Sequence, residues 1–463
     1  MSDPLEALFN PSSIALVGAS AHPEKMSHVV LKNLKKGKFK VYPVNPKEHS
    51  ILGLNCYPSV ESIRDKIDLA VISLPAQLSV DAVKECASKG VRGVIVTSSG
   101  FGEASEDGKA LEREMLRAVQ GTRTRILGPN TMGVFVPSRS LDTLFIPTEK
   151  SKRPRSGSVA IVSQSGAVAV SFLEKAEASG IGVSSCVGLG NKLDINENDV
   201  LDYLSRDKTT GCIAMYLESF SEGRGFIAAA RAISPKKPII VLKSGRTPSG
   251  SKAASSHTGA IASSSDGLVD GAMRQAGIVR AYDEEELMDY SKALSRIGHI
   301  KGDRICVVAS AGGFGVIASD LLESRDHGVG LKMARLSGET VSILRGVVPS
   351  FSSVSNPVDL TASVTDEMYD AVLETLQRDS GIDGIMMSLE LQPPGVTSQL
   401  VDIAQRRSRH GRVPIIVSAF AGDQDSLLSK LEEKGVVAYP TIWRAVRALA
   451  ALRERGLFLN RLK

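Results

Sequence analysis

Short apolar segments that alternate with helical patterns are the feature that most constrains the fold of this chain. Near the N-terminus, such segments, each ending in small or polar residues, occupy residues 13–18, 40–47, 68–74, 93–100 and 125–130. Strands that alternate with helices in this way form a parallel sheet with helices on both faces. The sequence therefore predicts doubly wound α/β domains, whose ligands bind at the carboxyl ends of the strands.

The same pattern recurs twice further along the chain, whose 463 residues are enough for two or three domains. Strands are predicted at 158–163, 183–187, 212–217 and 238–242, and again at 304–309, 385–390 and 414–418. We predict three doubly wound domains at residues 1–137, 158–298 and 299–463, the third being an internal repeat of the second that closes with a helix over 439–452. Residues 138–157, with prolines and a basic run, are predicted to be a solvated linker.

Composition narrows the class of protein and its compartment. Hydrophobic residues make up 42% and charged residues 23% of the chain, and its net charge is +5. The basic residues are spread out, without an aromatic-interleaved stripe, which disfavours nucleic acid as a partner. The N-terminus does not read as a signal peptide, and no apolar run approaches the length needed to span a bilayer. The five cysteines form no CxxC pair, so we expect free thiols, no zinc site and a cytoplasmic location.

The strand ends of the first domain predict a ligand that carries phosphate. Gly18 is followed by Ala19 and Ser20, so the full G-x-G-x-x-G dinucleotide motif is absent. The second strand ends in Asn45 and Lys47 rather than in an acidic residue that would hold a ribose. A nucleotide-like ligand with phosphates is therefore favoured over NAD. The residues expected to bind it are Gly18, Ala19, Ser20, Lys25, Asn45, Pro46, Lys47, Ser73, Pro75, Thr97, Ser98 and Asn130.

The segment that follows residue 242 predicts a nucleophile. It is small, polar and basic, with Lys243, Arg246 and Lys252, and it contains His257. A neutral imidazole can attack phosphorus when a partner holds its second nitrogen. Glu218, at the end of the strand 212–217, should emerge at the same edge of the sheet. Taken alone, the segment reads more readily as a solvated loop, and Glu218 is equally well explained as a helix-capping or surface carboxylate. Only their combination favours a catalytic site.

Two turns at this edge are expected to bind phosphate, because backbone amides at helix N-termini attract anions. The first turn follows the strand 158–163, and the second surrounds His257. Their residues are Ser163, Gln164, Ser165 and Gly166 in the first turn and Ser256, Thr258, Gly259 and Ala260 in the second. The repeat in the third domain keeps Glu390 but has no His after Ser418, so we expect a scaffold without a nucleophile.

These motifs resemble those of the α subunits of ADP-forming acetyl-CoA synthetases, in the NDP-forming acyl-CoA synthetase superfamily that also contains succinyl-CoA synthetase. The resemblance covers essentially the whole chain and is carried by VGAS at 17–20, VNPK at 44–47, GPN at 128–130, SQSG at 163–166, Glu218 and SHTGA at 256–260. It implies an N-terminal Rossmann-like CoA-binding domain followed by two flavodoxin-like, succinyl-CoA synthetase-like domains. It also implies reversible conversion of acyl-CoA, phosphate and ADP to acid, CoA and ATP through an acyl phosphate and a phosphohistidine. In that chemistry, His257 is phosphorylated and Glu218 orients it.

The third domain is absent from succinyl-CoA synthetase α subunits, and it points to the acetate-type enzymes. No segment resembles an ATP-grasp domain, so the resemblance implies a separate β subunit that carries one, with Mg²⁺ and ADP or ATP bound there, and an α2β2 heterotetramer. The residues leave open which acyl group is used and whether the nucleotide is ADP or GDP. A non-catalytic CoA- or nucleotide-sensing regulatory protein and a nicotinamide dehydrogenase are the alternative hypotheses. The intact His257 and Glu218 disfavour the first, and the Lys47 strand end disfavours the second.

Overall fold

The computed structural model describes residues 5–258, 265–324, 329–420 and 422–463, and within 255–258 it describes the backbone alone. The chain divides into two compact units, unit 1 (Met1–Glu284) and unit 2 (Glu285–Lys463). Within the described ranges, no helix is both long enough and apolar enough to cross a membrane.

Unit 1 begins with a parallel five-stranded sheet that is covered by helices on both faces. Its strands are β1 (Ser13–Val17), β2 (Lys40–Val44), β5 (Leu69–Ile72), β6 (Gly93–Val96) and β7 (Arg125–Leu127), in the order β2–β1–β5–β6–β7, and a hairpin of β3 (Ser50–Ile51) and β4 (Leu54–Asn55) follows β2. Its helices are α1 (Glu6–Phe9), α2 (Met26–Leu34), α3 (Ala76–Lys89) and α4 (Glu106–Val119). Ile14 and Leu16 pack in one apolar cluster with α1 and α2, whereas Ala15 and Val17 pack in another with α3 and α4.

A second sheet completes unit 1. Its strands are β8 (Val134–Val136), β9 (Leu141–Asp142), β10 (Ser156–Ser163), β11 (Val183–Gly188), β12 (Cys212–Leu217), β13 (Ile239–Lys243) and β14 (Ile278–Ala281), in the order β14–β13–β12–β10–β11–β8–β9. Strands β10 to β14 are parallel and have the flavodoxin-like order, while β8 and β9 add an antiparallel edge. Its helices are α5 (Gly166–Ala178), α6 (Glu197–Arg206), α7 (Gly223–Ile233), α8 (Pro248–Thr258) and α9 (Asp266–Gln275).

Residues 138–157 differ from the solvated linker that the sequence predicted. They contain β9, which pairs with β8, and Leu141 and Leu144 are fully buried. The Nε of Arg153 lies 3.0 Å from the Oδ2 of Asp142 in a largely buried ion pair. The prolines and basic residues suggested a solvent-exposed segment. The apolar side chains between them are instead buried, and their burial stabilises the folded chain.

Unit 2 contains the third sheet. Its strands are β15 (Arg304–Ala309), β16 (Lys332–Met333), β17 (Val358–Asp359), β18 (Gly384–Leu389), β19 (Ile415–Ala419) and β20 (Ala438–Tyr439), in the order β16–β15–β18–β19–β20, with β17 also paired to β15. Its helices are α10 (Glu284–Arg296), α11 (Gly312–Glu323), α12 (Gly338–Val347), α13 (Asp366–Arg378), α14 (Gln399–His410), α15 (Gln424–Glu433) and α16 (Ile442–Asn460). The strand order is again flavodoxin-like, which confirms the predicted α/β fold class. Helix α16 begins and ends later than the predicted helix over 439–452.

Candidate active site

A pocket of about 690 Å³ opens at the carboxyl ends of β1, β2 and β5. The strand order reverses at β1, and in doubly wound sheets ligands bind in the crevice that such a reversal leaves at the carboxyl ends of the strands. The predicted ligand-binding residues that line the pocket are Gly18, Ala19, Ser20, Lys25, Asn45, Pro46 and Ser73. The predicted residues that do not belong to its lining are Lys47, Pro75, Thr97, Ser98 and Asn130.

The turn after β1 lies tightly against its neighbouring strands. Gly18 has a φ of +86°, and a Cβ atom at this position would lie 2.4 Å from the carbonyl oxygen of Ser73. The amides of Gly18 and Ala19 donate to the carbonyl of Val44 at 3.0 and 3.2 Å, and the Asn45 side chain donates to the Ala19 carbonyl at 2.8 Å. Only glycine fits at residue 18, because both the backbone conformation and the lack of space exclude a side chain.

The predicted residues outside the pocket lining mostly hold strand ends in place. The hydroxyl of Thr97 donates to the Ile72 carbonyl at 3.0 Å, and the hydroxyl of Ser98 donates to the Leu74 carbonyl. The amide of Asn130 donates to the carbonyl of Ser98 at 2.8 Å. Lys47 and Pro75 are the other two residues outside the lining. The amide of Lys47 donates to the Asn45 side chain, and Pro75 directly precedes α3.

At the carboxyl edge of the second sheet, side chains from two other strand ends and from the connection between β11 and α6 hold the main chain of Glu218 and Ser219. The Oε1 of Gln164 accepts the amides of Glu218 and Ser219 at 2.9 and 3.1 Å. The Nζ of Lys243 donates to the Glu218 carbonyl at 2.8 Å, and the Nζ of Lys192 donates to the Ser219 carbonyl at 2.8 Å. Glu218, Gln164 and Lys243 are all buried. The position at which Glu218 leaves β12 is therefore fixed by hydrogen bonds on both of its main-chain groups.

Two buried ammonium groups dominate the electrostatics around Glu218. Burial lowers the pKa of Lys192, although the Oε2 of Glu197 at 3.0 Å opposes this shift. Burial also lowers the pKa of Lys243, and the positive charge of Arg280 lowers it further. Both ammonium groups donate to main-chain carbonyls, Lys243 to that of Glu218 and Lys192 to that of Ser219.

The carboxylate of Glu218 is reached by a neighbouring tyrosine. The hydroxyl of Tyr216 donates to the Oε1 of Glu218 at 3.2 Å and itself accepts the hydroxyl of Ser244 at 3.1 Å. Burial raises the pKa of Tyr216 and keeps the phenol protonated as a donor. The Ser244 contact connects the end of β13, where the segment of His257 begins, with the carboxylate of Glu218.

The predicted phosphate turn at residues 163–166 leads into α5. The hydroxyl of Ser163 donates to the Ser165 carbonyl at 2.7 Å, and the hydroxyl of Ser165 caps the helix by accepting the Val168 amide at 3.5 Å. Gly166 is the first residue of α5, and this N-terminus is partly exposed at the sheet edge. The Gln164 side chain, predicted to contact phosphate, instead contacts the main chain of Glu218 and the hydroxyl of Ser219.

His257 lies in a helix rather than in the predicted loop. Pro248 begins α8, and the hydroxyl of Thr247 accepts the Gly250 amide at 3.1 Å. A proline in the first helical position and the alanines that follow favour this helix over a loop. The backbone of Ser256, His257 and Thr258 forms the last turn of α8. Their side chains, together with Gly259 and Ala260, lie outside the described residues.

Sequence reasoning did not find Lys192, Ser219 or Tyr216 as site residues. Lys192 is a single lysine in a polar segment, and nothing in the sequence marks it as buried. Ser219 and Tyr216 flank Glu218, and that proximity was their one available signal. In the described ranges, no group of three or more His, Cys, Asp or Glu side chains could hold a metal ion.

Three family models match successive parts of the chain. Family models match residues 12–137 (CoA binding domain), 156–294 (Succinyl-CoA ligase like flavodoxin domain) and 305–454 (Ligase-CoA domain). The chain is 36% identical over 458 residues to the α subunit of acetate–CoA ligase [ADP-forming] I of Pyrococcus furiosus, covering 97% of each chain. It is also 36% identical over 458 residues to an acetate–CoA ligase [ADP-forming] of Methanocaldococcus jannaschii, but spans 63% of that longer chain.

A solved structure matches the whole fold. This is the Ca. Korarchaeum cryptofilum dinucleotide forming acetyl-coenzyme A synthetase 1 in complex with phosphate and ADP. It is 34% identical in sequence, with a TM-score of 0.91, and the match covers 100% of this chain and 99% of that one.

Proposed function

The chain belongs to the family of ADP-forming acetate–CoA ligase α subunits, and from this premise we propose that it converts acyl-CoA, phosphate and ADP reversibly to acid, CoA and ATP. The observation that carries the proposal is the firmly held Glu218, at the sheet edge from which the segment of His257 departs. Its relatives are named as ligases, which favours catalysis over the regulatory alternative.

In this proposal, CoA binds in the pocket at the ends of β1, β2 and β5. The turn at Gly18 brings backbone close to the ligand, and Lys25 in the pocket lining supplies positive charge for its phosphates. Lys47 lies outside the lining, beside Asn45, and adds positive charge at the rim. The family model for CoA binding, which matches residues 12–137, supports this assignment. We assign Ser73, Pro75, Thr97, Ser98 and Asn130 to the support of this pocket or to ligand contacts at its rim.

Phosphoryl transfer then passes through His257. An oxygen of phosphate attacks the thioester carbonyl, the C–S bond breaks, and CoA thiolate leaves an acyl phosphate behind. An imidazole nitrogen of His257 attacks phosphorus, and the bond to the acyl oxygen breaks to release the acid. Glu218 accepts the N–H of the second ring nitrogen and stabilises the positive charge that develops there. The N-terminus of α5 and its turn supply amides for the phosphoryl oxygens.

The nucleotide half of the reaction is assigned to a partner chain. We propose a β subunit with an ATP-grasp domain that binds ADP or ATP with Mg²⁺, in an α2β2 heterotetramer. The naming of relatives as α subunits, and the greater length of the single-chain relative, support a partner. We place the enzyme in the cytoplasm because its five cysteines are free thiols.

Phosphorylation by acetyl phosphate tests the central step. The purified full-length chain should gain the mass of one phosphoryl group, in a linkage that is labile to acid and stable to base. His257→Ala should gain none, whereas His410→Ala, which changes an exposed histidine at the end of α14, should gain as much as wild type. Equal labelling of all three proteins would show that His257 is not the residue that is phosphorylated. A wild-type chain that binds CoA but takes up no phosphate would favour the regulatory alternative.

Calorimetry tests the division of labour between chains. The isolated chain should bind CoA and show no appreciable affinity for ADP. Micromolar affinity for ADP in this chain alone would contradict the assignment of the nucleotide site to a partner.

A further inference from the structure

We propose that Gln164, Lys192 and Lys243 are positioning residues that form a clamp on the main chain of Glu218 and Ser219, and that phosphoryl transfer depends on this clamp. This inference rests on the proposed function and adds to it. None of the three acts on phosphate directly in this assignment. They act through Glu218, whose carboxylate can orient an imidazole only if the residue is held in one place.

The clamp satisfies every polar main-chain group of the two residues. Both amides donate to one oxygen of Gln164, the carbonyl of Glu218 accepts from Lys243, and the carbonyl of Ser219 accepts from Lys192. The Nε2 of Gln164 also donates to the Ser219 hydroxyl at 3.0 Å. A segment that leaves a sheet has lost its ladder partners, so side chains must replace them or the backbone is free to move.

The three clamping side chains come from three different segments of the chain. Gln164 follows β10, Lys243 is the last residue of β13, and Lys192 lies in the connection between β11 and α6. The strands β10 and β13 flank β12 on its two sides. Glu218 is therefore held from both neighbouring strands at once, which fixes the direction in which its side chain leaves the sheet.

Burying two ammonium groups costs free energy, which suggests that the hydrogen bonds they donate to the main chain have a role beyond stability. The side chains of Lys192 and Glu197 are almost completely buried, 5% and 0% exposed. Glu197 accepts the amide of Ser221 at 2.5 Å and its hydroxyl at 3.2 Å, so this pair holds the next turn of the same segment. Burying a charge is costly even when it is paired. Apolar side chains in place of these charged ones would avoid that cost, but they could not donate hydrogen bonds that hold the main chain of Glu218.

The other end of β13 offers a matched control. Lys237 lies just before this strand, and its Nζ donates to the carbonyls of Leu204 and Asp207 at 2.7 and 2.6 Å. Lys243, at the carboxyl end, likewise donates to two main-chain carbonyls, at 2.8 and 2.5 Å. Burial lowers the pKa of both lysines. Methionine has a similar length without the charge, so Lys243→Met and Lys237→Met remove comparable contacts from opposite ends of one strand.

The test measures the rate at which the full-length chain is phosphorylated by acetyl phosphate, as a function of acetyl phosphate concentration. Lys243→Met should lower the maximal rate by about 100-fold, the effect expected when a reacting group is misplaced. The half-saturating concentration should stay unchanged, because Lys243 does not bind the phosphate in this assignment. Lys237→Met should lose melting temperature to a similar extent and keep the wild-type rate.

Each other result overturns the clamp. A raised half-saturating concentration with an unchanged maximal rate would make Lys243 a phosphate ligand. Equal rate losses in Lys243→Met and Lys237→Met would reduce the effect to general destabilisation. If Lys243→Met does not fold, the double variant Lys192→Met/Glu197→Gln takes its place, because it leaves neither member of this ion pair buried with an unpaired charge. Its maximal rate and half-saturating concentration are compared with those of Lys237→Met in the same way. A wild-type chain that takes up no phosphate would instead refute the proposed function, and this outcome is visible before any variant is compared.

Discussion

The substitution Glu218→Gln separates the charge of this side chain from its place in the fold. The four hydrogen bonds that hold Glu218 and Ser219 involve main-chain groups of these residues, so none depends on the side chain that changes. Glutamine keeps an oxygen that can accept the Tyr216 hydroxyl, which lies 3.2 Å from the Oε1 of Glu218. At that length the bond is weak, and exchanging a charged acceptor for a neutral one should cost about 1 kcal/mol or less.

The expected effect on the reaction is far larger than the effect on stability. Glutamine cannot stabilise the cationic imidazole that forms as His257 takes up a phosphoryl group. Removing one preorganised electrostatic group of this kind lowers a rate by about 10²–10³-fold, or roughly 3–4 kcal/mol. We therefore expect the rate of phosphohistidine formation to fall by that factor while the melting temperature falls by no more than about 4 °C.

The repeat in unit 2 supplies the control. Glu390 follows β18 as Glu218 follows β12, and its Oε1 accepts the Ser310 hydroxyl at 2.6 Å. This bond is shorter than the one to Glu218, so Glu390→Gln should lower stability at least as much and leave the rate near wild type. Rates and melting temperatures of both variants would be measured with acetyl phosphate as donor. If the two variants are equally active, Glu218 is an ordinary carboxylate at a strand end, and another group orients His257.

Three further predictions test the fold and the first pocket. Arg153→Met leaves a buried carboxylate unpaired and should cost about 3–5 kcal/mol in urea unfolding, whereas Lys152→Met, at an exposed position, should stay within about 0.5 kcal/mol. Gly18→Ala should abolish CoA binding in calorimetry, whereas Gly90→Ala, which also has a positive φ but meets no atom within 4 Å, should cost about 1–2 kcal/mol of stability and leave CoA affinity intact. Burial tends to raise the pKa of Asp68, but hydrogen bonds from a main-chain amide and an arginine outweigh it and hold the pKa below its ordinary value of 3.8. The carboxylate therefore stabilises the fold above pH 3.8, so the loss of melting temperature in Asp68→Asn should be full at neutral pH and shrink as the pH falls below 3.8; a loss that does not change with pH would contradict this.

The strands could be predicted from the sequence because each is a short apolar run with a small or polar residue at its end. The run at 212–217 matches β12 residue for residue, and this placed Glu218 at the sheet edge. The helix that carries His257 was missed because its serines and its glycine are typical of loops. The packing of residues 138–157 was missed because local composition does not show that Leu141 and Leu144 are buried in the folded chain.

The partners of Glu218 could not be predicted, for a physical reason. A main-chain amide or carbonyl leaves no trace in the sequence, so the residue that will bond to it cannot be recognised by its type. Gln164 illustrates this. Its position in a turn before a helix suggested a contact with phosphate, but in the fold its side-chain oxygen accepts the main-chain amide of Glu218. Lys192 illustrates it further, because its burial depends on the connection between β11 and α6, which only the folded chain brings beside Ser219.

The two flavodoxin-like sheets differ in the groups that lie beside Glu218 and Glu390. In unit 1, Lys243 pairs in register with Leu217, the residue before Glu218; in unit 2, the matching residue beside Leu389 is Ala419. At this register position the repeat therefore has no ammonium group for the carbonyl of Glu390. Its turn hydroxyl, from Ser310, contacts the carboxylate itself, whereas the corresponding turn in unit 1 uses Gln164 to hold the main chain. We therefore expect catalysis at the flavodoxin-like sheet of unit 1 rather than at that of unit 2, because a carboxylate can orient a histidine only if the backbone that carries it is held by other groups.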